Sequence, residues 1–169
     1  MDAALQRSHD ASMTDTLHPT HRIRPPLKVL IAGTFDHLHA GHRSFFEQAH
    51  KLGLVTAIVA RDVSVKRIKG GAAIESERTR LAKIAHSPHI TRARLGHLKD
   101  FLQPILEEQP DIIALGYDQT TFPIGELKKK LSQHNLHPQI IRLKSFQPQK
   151  FKSSLLRNQS PHDGVHRTK

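Results

Sequence analysis

Short apolar runs alternate with amphipathic stretches through the middle of the chain. Residues 27–32 (LKVLIA) are apolar apart from Lys28, which predicts a strand buried on both faces. From about 41 to 52, Phe45, Phe46, Ala49 and Leu52 share one helical face, and Gly53 is placed to stop that helix. Residues 54–60 (LVTAIVA) predict a second buried strand, rich in β-branched side chains. A basic loop is expected next, over 61–74. A helix then spans 75–86, with Ile74, Leu81, Ile84 and Ala85 on its apolar side, followed by a third strand at 90–95. Asp100 reads as the cap of a further helix, with Gln103 set for a capping box and Pro104 in the first turn. Strand four covers 111–115, Pro123 opens a helix burying Ile124, Leu127 and Leu131, and strand five covers 139–143. Ser153 or Ser154 would cap a short last helix.

Strands that are apolar throughout and alternate with helices predict an α/β fold: a parallel sheet of about five strands with helices on both faces. Ligands of such sheets bind outside the carboxyl ends of the strands. The loops expected to matter are therefore 33–42, 61–74, 116–122 and 144–154. Residues 1–26, which end in Arg24-Pro25-Pro26 and lack any apolar period, are expected to form a disordered tail. Residues 158–169 are expected to form another, leaving a single domain over 27–157.

Composition narrows the partners. The 26 basic and 15 acidic residues give a net charge of +11, which favours anionic ligands. One tyrosine, no tryptophan and seven phenylalanines, with no basic stretch interleaved with aromatics, give poor support to a base-stacking nucleic-acid platform. No apolar run approaches a membrane span, and the N-terminal stretch has no apolar signal region. There is no cysteine, so disulfides, thiolate metal sites and cysteine nucleophiles are excluded, and a cytoplasmic location is expected.

The densest chemistry follows strand one, in residues 33–42, GTFDHLHAGH. It is neither a Walker loop nor a dinucleotide fingerprint, yet it occupies the same place between strand and helix. Backbone N–H groups near Gly41 and His42 at the helix start would face an anion. His39 and His42, three apart, can set both imidazoles on one side. Three readings of that pair are open. They can be phosphate donors, a helix cap with surface histidines, or part of a metal site for which Asp36 is near but no third ligand is evident. His37 is read as incidental.

GTFDHLHAGH after a strand resembles the signature of the H-x-G-H nucleotidylyltransferases, a Rossmann-like superfamily in which an acceptor phosphate attacks the α-phosphorus of a nucleoside triphosphate. The resemblance runs from about 27 to 157. Residues 60–70, ARDVSVKRIKG, and 110–119, PDIIALGYDQ, are similar to segments of the archaeal-type FAD synthases, whose reaction is adenylyl transfer from ATP to FMN. Heptose-type sugar-phosphate adenylyltransferases share the S-V-K-R-x-K-G stretch, but their later loop differs from Leu115-Gly116-Tyr117-Asp118-Gln119.

The resemblance implies catalytic roles for His39 and His42. It implies a nucleotide site drawn from Thr34, Phe35, His39, Ala40, Gly41, His42, Asp118, Phe146, Ser153 and Ser154. Asp118 would take the ribose hydroxyls; its competing role is a turn or capping aspartate. Asp62, Lys66 and Lys69 would touch phosphate or acceptor, the lysines as a mobile cationic flap; a solvated basic loop is the alternative. The family's E-x-x-R falls on Glu75 and Arg78, and Arg43 and Arg78 are phosphate contacts or surface charges. Lys128, Lys129 and Lys130 read as the exposed side of a helix. Mg²⁺ or another divalent cation would accompany ATP, with no protein ligand assigned to it. The acceptor expected is FMN. The alternatives are glycerol 3-phosphate, a sugar phosphate or phosphopantetheine, with a cytidylyl or adenylyl donor, and, from another class, a non-catalytic nucleotide- or nucleic-acid-binding protein. A homodimer is compatible with the resemblance but not fixed by the sequence.

Overall fold

The computed structural model describes residues 24–120 and 123–147. Five strands, β1 (Lys28–Gly33), β2 (Leu54–Val59), β3 (Arg92–Leu95), β4 (Ile112–Leu115) and β5 (Gln139–Arg142), pair in parallel in the order β3-β2-β1-β4-β5. The chain builds outward from β1 to β3, crosses back to β4, and ends at β5. The reversal places a crevice at the carboxyl ends of β1 and β4, where open α/β sheets bind ligands. The α/β, Rossmann-like parallel sheet is thus as the alternation of apolar and amphipathic segments predicts.

Alternating residues of β1 feed two cores. Val29 and Ile31 pack with Phe46 and Ala49 of α1 (Ala40–His50). Ile84 of α3 (Glu77–Ala85) joins the same layer. Leu30 faces the other way, with Ile105 of α4 (Gln103–Glu108) and Leu127 and Leu131 of α5 (Ile124–Ser132). The edge strand β3 is less apolar. Its Arg94 pairs with Glu107 and Glu108 of α4, which ties that helix to the sheet edge. No helix among the described residues is long and apolar enough to cross a membrane.

Several local expectations are corrected. The basic stretch after β2 is not a loop: Asp62–Lys69 forms helix α2, which buries Val65 and ends at Gly70 with φ +70. Only glycine takes that left-handed cap at little cost. Helix α3 starts later than expected, because Ser76 caps it through a bond from the Thr79 N–H at 3.2 Å; Ile74 lies outside the helix, 55% exposed. Asp100 accepts from the Leu102 N–H at 2.8 Å and so closes a turn before α4. Gln103 bonds to Glu107, so no capping box forms. Gly53 follows the end of α1 because a Cβ there would lie 2.1 Å from the Leu27 carbonyl oxygen. The expected last helix, with Ser153 and Ser154, lies outside the described residues.

Candidate active site

The loop between β1 and α1 is held by its own side chains. Phe35 and His37 adopt φ of +53 and +51, unusual for residues with a Cβ. The turn folds the Phe35 ring back beneath Gly33, where a Cβ would meet that ring at 2.9 Å. Phe35 is buried and packs edge-on against Phe46 and His42, at centroid distances of 5.3 and 5.9 Å. Its side chain therefore serves the core, and only its backbone is left to serve a ligand. Asp36 is buried as well. Its carboxylate accepts from the N–H groups of Ile74 and Glu75 at 2.8 and 3.0 Å, which fastens the segment after α2 to the site loop.

His39 is the N-cap of α1. Its Nδ1 accepts from the Gly41 N–H at 3.1 Å, which makes Nε2 the protonated nitrogen. The His42 N–H bonds to the His39 carbonyl at 3.0 Å. These two amides, expected to face an anion, are instead taken up by the cap. The donors toward a ligand are then the imidazoles. The His39 and His42 rings lie 4.0 Å apart, tilted by 31°. His42 Nδ1 is buried without a hydrogen-bond partner among the described residues. Burial is the main cause that depresses the His42 pKa to about 3; His39 and Lys69 add to the effect and Asp36 opposes it. The His39 pKa is lowered by burial, then by His37 and Arg43. Both rings are neutral N–H donors at neutral pH, side by side at a helix N-terminus.

The depressed His42 pKa has a consequence for stability. The folded state keeps His42 neutral down to about 3, while an unfolded chain protonates it near 6.5. Between those values the unfolded state binds more protons, so this contribution is intact above 6.5 and is lost as pH falls toward 3. Replacing His42 by glutamine is expected to flatten the decline of the thermal midpoint between about pH 7 and pH 5. Equal slopes for the variant and the parent chain would contradict this assignment.

A buried arginine organises the other side of the loop. Arg80 on α3 is 0% exposed. Its guanidinium donates to the carbonyls of Thr34, Ala60 and Glu75 and to the Asp62 carboxylate. Glu77 accepts from the Asp62 N–H at 2.8 Å and pairs with Arg61 at 3.1 Å. Asp62 thus links Glu77 and Arg80, a second pair with the E-x-x-R spacing. Arg78 is exposed on the outer side, away from the main cleft. Sequence reading missed Arg80, although the spacing that marks it sits two residues beyond the one chosen.

These elements border a cleft of about 1080 Å³ across the carboxyl ends of the strands. Of the residues expected at the site, Thr34, Phe35, His39, Gly41, His42, Lys69, Asp118 and Phe146 line it. Ala40, the first residue of α1, does not line it, and neither does Lys66, exposed on α2. Asp62 also lies off the cleft, its carboxylate turned to Arg80 and to the N–H of Glu77 at 3.1 Å. His37, read as incidental, does line the cleft. The Asp118 loop is latched from below. Gln119 Oε1 accepts from the Gly116 N–H at 2.8 Å and its Nε2 donates to the Ala32 carbonyl at 2.7 Å. Arg142 of β5 donates to the carbonyls of Gly116, Tyr117 and Gln119. Both residues of the D-Q pair line the cleft, and the glutamine also holds the turn. The segment 96–101 after β3 also contributes Gly96, His97, Lys99 and Phe101 to the wall, which was not expected. Among the described residues, no cluster of three or more His, Asp or Glu could hold a metal ion.

Comparison with known proteins agrees with this geometry. Residues 30–159 match the cytidylyltransferase-like family model. The chain is 36% identical over 132 residues to a FAD synthase of Thermoplasma acidophilum, covering 78% of this chain and 92% of that protein. It is 38% identical to a solved lipopolysaccharide core biosynthesis protein from Thermoplasma volcanium GSS1, with a TM-score of 0.67 and coverage of 72% and 98%. A pantoate-beta-alanine ligase from Francisella tularensis, 11% identical with a TM-score of 0.50 over 78% of this chain and 68% of that one, shares the fold alone. The imidazole pair at the start of α1, the switch-point cleft and the extent of these matches together place the chain in the cytidylyltransferase-like family.

Proposed function

We propose that the protein is an FMN adenylyltransferase: it transfers AMP from ATP to the phosphate of FMN, giving FAD and pyrophosphate. The observation that carries this reading is the pair of adjacent, neutral imidazoles at the N-terminus of α1, opening on a cleft of about 1080 Å³. The acceptor follows from the 36% identity to a FAD synthase over most of both chains.

An oxygen of the FMN phosphate attacks the α-phosphorus of ATP. A new P–O bond forms, the bond from the α-phosphorus to the bridging oxygen breaks, and pyrophosphate leaves. Little covalent work is asked of the protein; holding the phosphates in line and stabilising charge supply most of the acceleration. His39 and His42 donate to the α- and β-phosphates and to the charge growing on the leaving group. Lys69, at the end of α2, adds a cation above them. Asp118 accepts from the ribose hydroxyls, and Phe146 borders the nucleoside. Ser153 and Ser154, outside the described residues, belong to this proposal as triphosphate contacts. The donor set that lines the phosphate region suits phosphate oxygens, so Mg²⁺ would be held there chiefly by ATP and water. When bound, it neutralises phosphate charge. A cytoplasmic site of action fits a pair of free nucleotide substrates.

The test is a donor and acceptor panel with purified protein and Mg²⁺. ATP or CTP is paired with FMN, glycerol 3-phosphate, a sugar phosphate or phosphopantetheine. FAD formed from ATP and FMN is the expected product; turnover with CTP alone, or with another acceptor in place of FMN, would overturn the reading.

A further inference from the structure

The segment that leaves β5 is gripped by a helix. The Leu143 N–H donates to the Leu115 carbonyl at 2.8 Å, which continues the pairing of β5 with β4. At the next residue the partner changes. The Lys144 N–H donates to Gln48 Oε1, and Gln48 Nε2 donates to the Lys144 carbonyl, both at 3.1 Å. Gln48 lies on α1, where its Nε2 also donates to Ser44 Oγ at 3.3 Å, one turn earlier. A carboxamide can match the N–H and the carbonyl of one residue at once. A carboxylate would set an oxygen against the Lys144 carbonyl, and a lysine or arginine could not accept from the N–H.

The two sides of this clamp differ in how firmly they are held. Phe46 and Ala49, on either side of Gln48 along α1, are buried in the first core, so the helix is fixed without the clamp. Phe146 is 39% exposed, and Gln147 beside it takes a φ of +40, uncommon for a residue with a Cβ. Loss of the clamp should therefore loosen residues 144–147 and leave His39 and His42 in place. Lys144 and Phe146 both line the cleft. Arg142, two residues before Lys144, donates to the carbonyls of Gly116, Tyr117 and Gln119 around Asp118. The end of β5 thus ties the Asp118 loop on one side to α1 on the other.

We propose that Gln48 is a positioning residue for nucleotide binding: by clamping the backbone of Lys144 to α1, it holds Phe146 against the nucleoside. Gln48 itself does not line the cleft, so it acts through that segment. Ordering the wall in advance removes a cost that the nucleotide would otherwise meet on binding. The inference rests on the reading that places the nucleoside beside Asp118 and Phe146, and adds to it the residue that orders this wall.

The test titrates Mg²⁺-ATP and, separately, FMN into the full chain, and measures kcat and KM for both substrates. The parent chain is compared with Gln48→Leu, Phe146→Ala and the double variant. Gln48→Leu is expected to weaken ATP binding and raise its KM about fivefold, with FMN affinity and kcat kept within about twofold. The double variant should bind ATP no more than about twofold more weakly than Phe146→Ala alone, because both changes act on one contact. Unchanged ATP affinity in Gln48→Leu, even with a lowered thermal midpoint, would overturn the clamp assignment. So would equal losses for ATP and FMN, or a loss that adds in full to that of Phe146→Ala. Direct titration keeps these outcomes apart from the identity of the acceptor. A parent chain that binds ATP and forms no FAD would overturn the FMN reading alone, and the ATP titrations would still decide the role of Gln48. A parent chain that binds no ATP would overturn both.

Discussion

Replacing His42 by alanine is expected to lower the rate of pyrophosphate release by about 10²- to 10³-fold, the usual loss when one preorganised donor to a developing oxyanion is removed. The ring stands 4.0 Å from His39 and is held on its inner side by Phe35 and Phe46. It is positioned by packing before substrate arrives. Most of the loss should fall on kcat with a smaller change in KM for ATP, because the contact strengthens as charge leaves the α-phosphorus. His39→Ala should differ in kind. It removes a donor and also the helix cap on the Gly41 N–H, so it should lose activity and, in addition, about 1 kcal/mol of stability. A His42→Ala rate within a few-fold of the parent chain would remove the imidazole pair from the mechanism.

The second large effect belongs to Arg80. Truncating it to alanine is expected to destabilise the protein by about 3–5 kcal/mol, measured by denaturant unfolding. The guanidinium is fully enclosed, and without it the carbonyls of Thr34, Ala60 and Glu75 lose a charged donor inside the fold. Arg80→Lys should not rescue, because a single ammonium cannot reproduce the planar fork that reaches all of these acceptors. Asp62→Ala should cost less, since that carboxylate is 46% exposed and the guanidinium keeps its three carbonyl acceptors without it. Whatever folded Arg80→Ala protein remains should also be slow, because the carbonyls of Thr34 and Ala60 set the ends of β1 and β2 against the cleft. An Arg80→Ala cost below about 1 kcal/mol would show that the guanidinium is not what joins these segments.

Particular residues show how far the sequence can be read. Strands β1, β2 and β4 were legible because they are apolar on both faces, as a covered parallel sheet requires. Helix α2 was not: Val63, Val65 and Ile68 are β-branched, the rest is mostly basic, and a single residue, Val65, is buried to anchor it. The imidazole pair was legible from spacing and from its place after β1. Its local hydrogen bonding was not, because an N-cap role for His39 competes with ligand binding for the same amides and only the backbone geometry decides between them. Glu75 with Arg78 and Glu77 with Arg80 have the same spacing, and only packing tells which arginine is inside. The wall at 96–101 was overlooked because β3, RARL, is half polar and gave no firm frame for the loop that follows it. Asp118 and Gln119 both line the cleft, but only the structure shows that Gln119 also braces the turn.

The central claim is adenylyl transfer to FMN at the His39–His42 pair, and the most direct measurement is the stoichiometry of the reaction. Protein, Mg²⁺, FMN and ATP labelled at the α-phosphorus are followed until ATP is spent. The account predicts one FAD carrying the label for each pyrophosphate released, no ADP, and no pyrophosphate when FMN is omitted. Release of pyrophosphate without labelled FAD, or consumption of ATP to ADP, would contradict it.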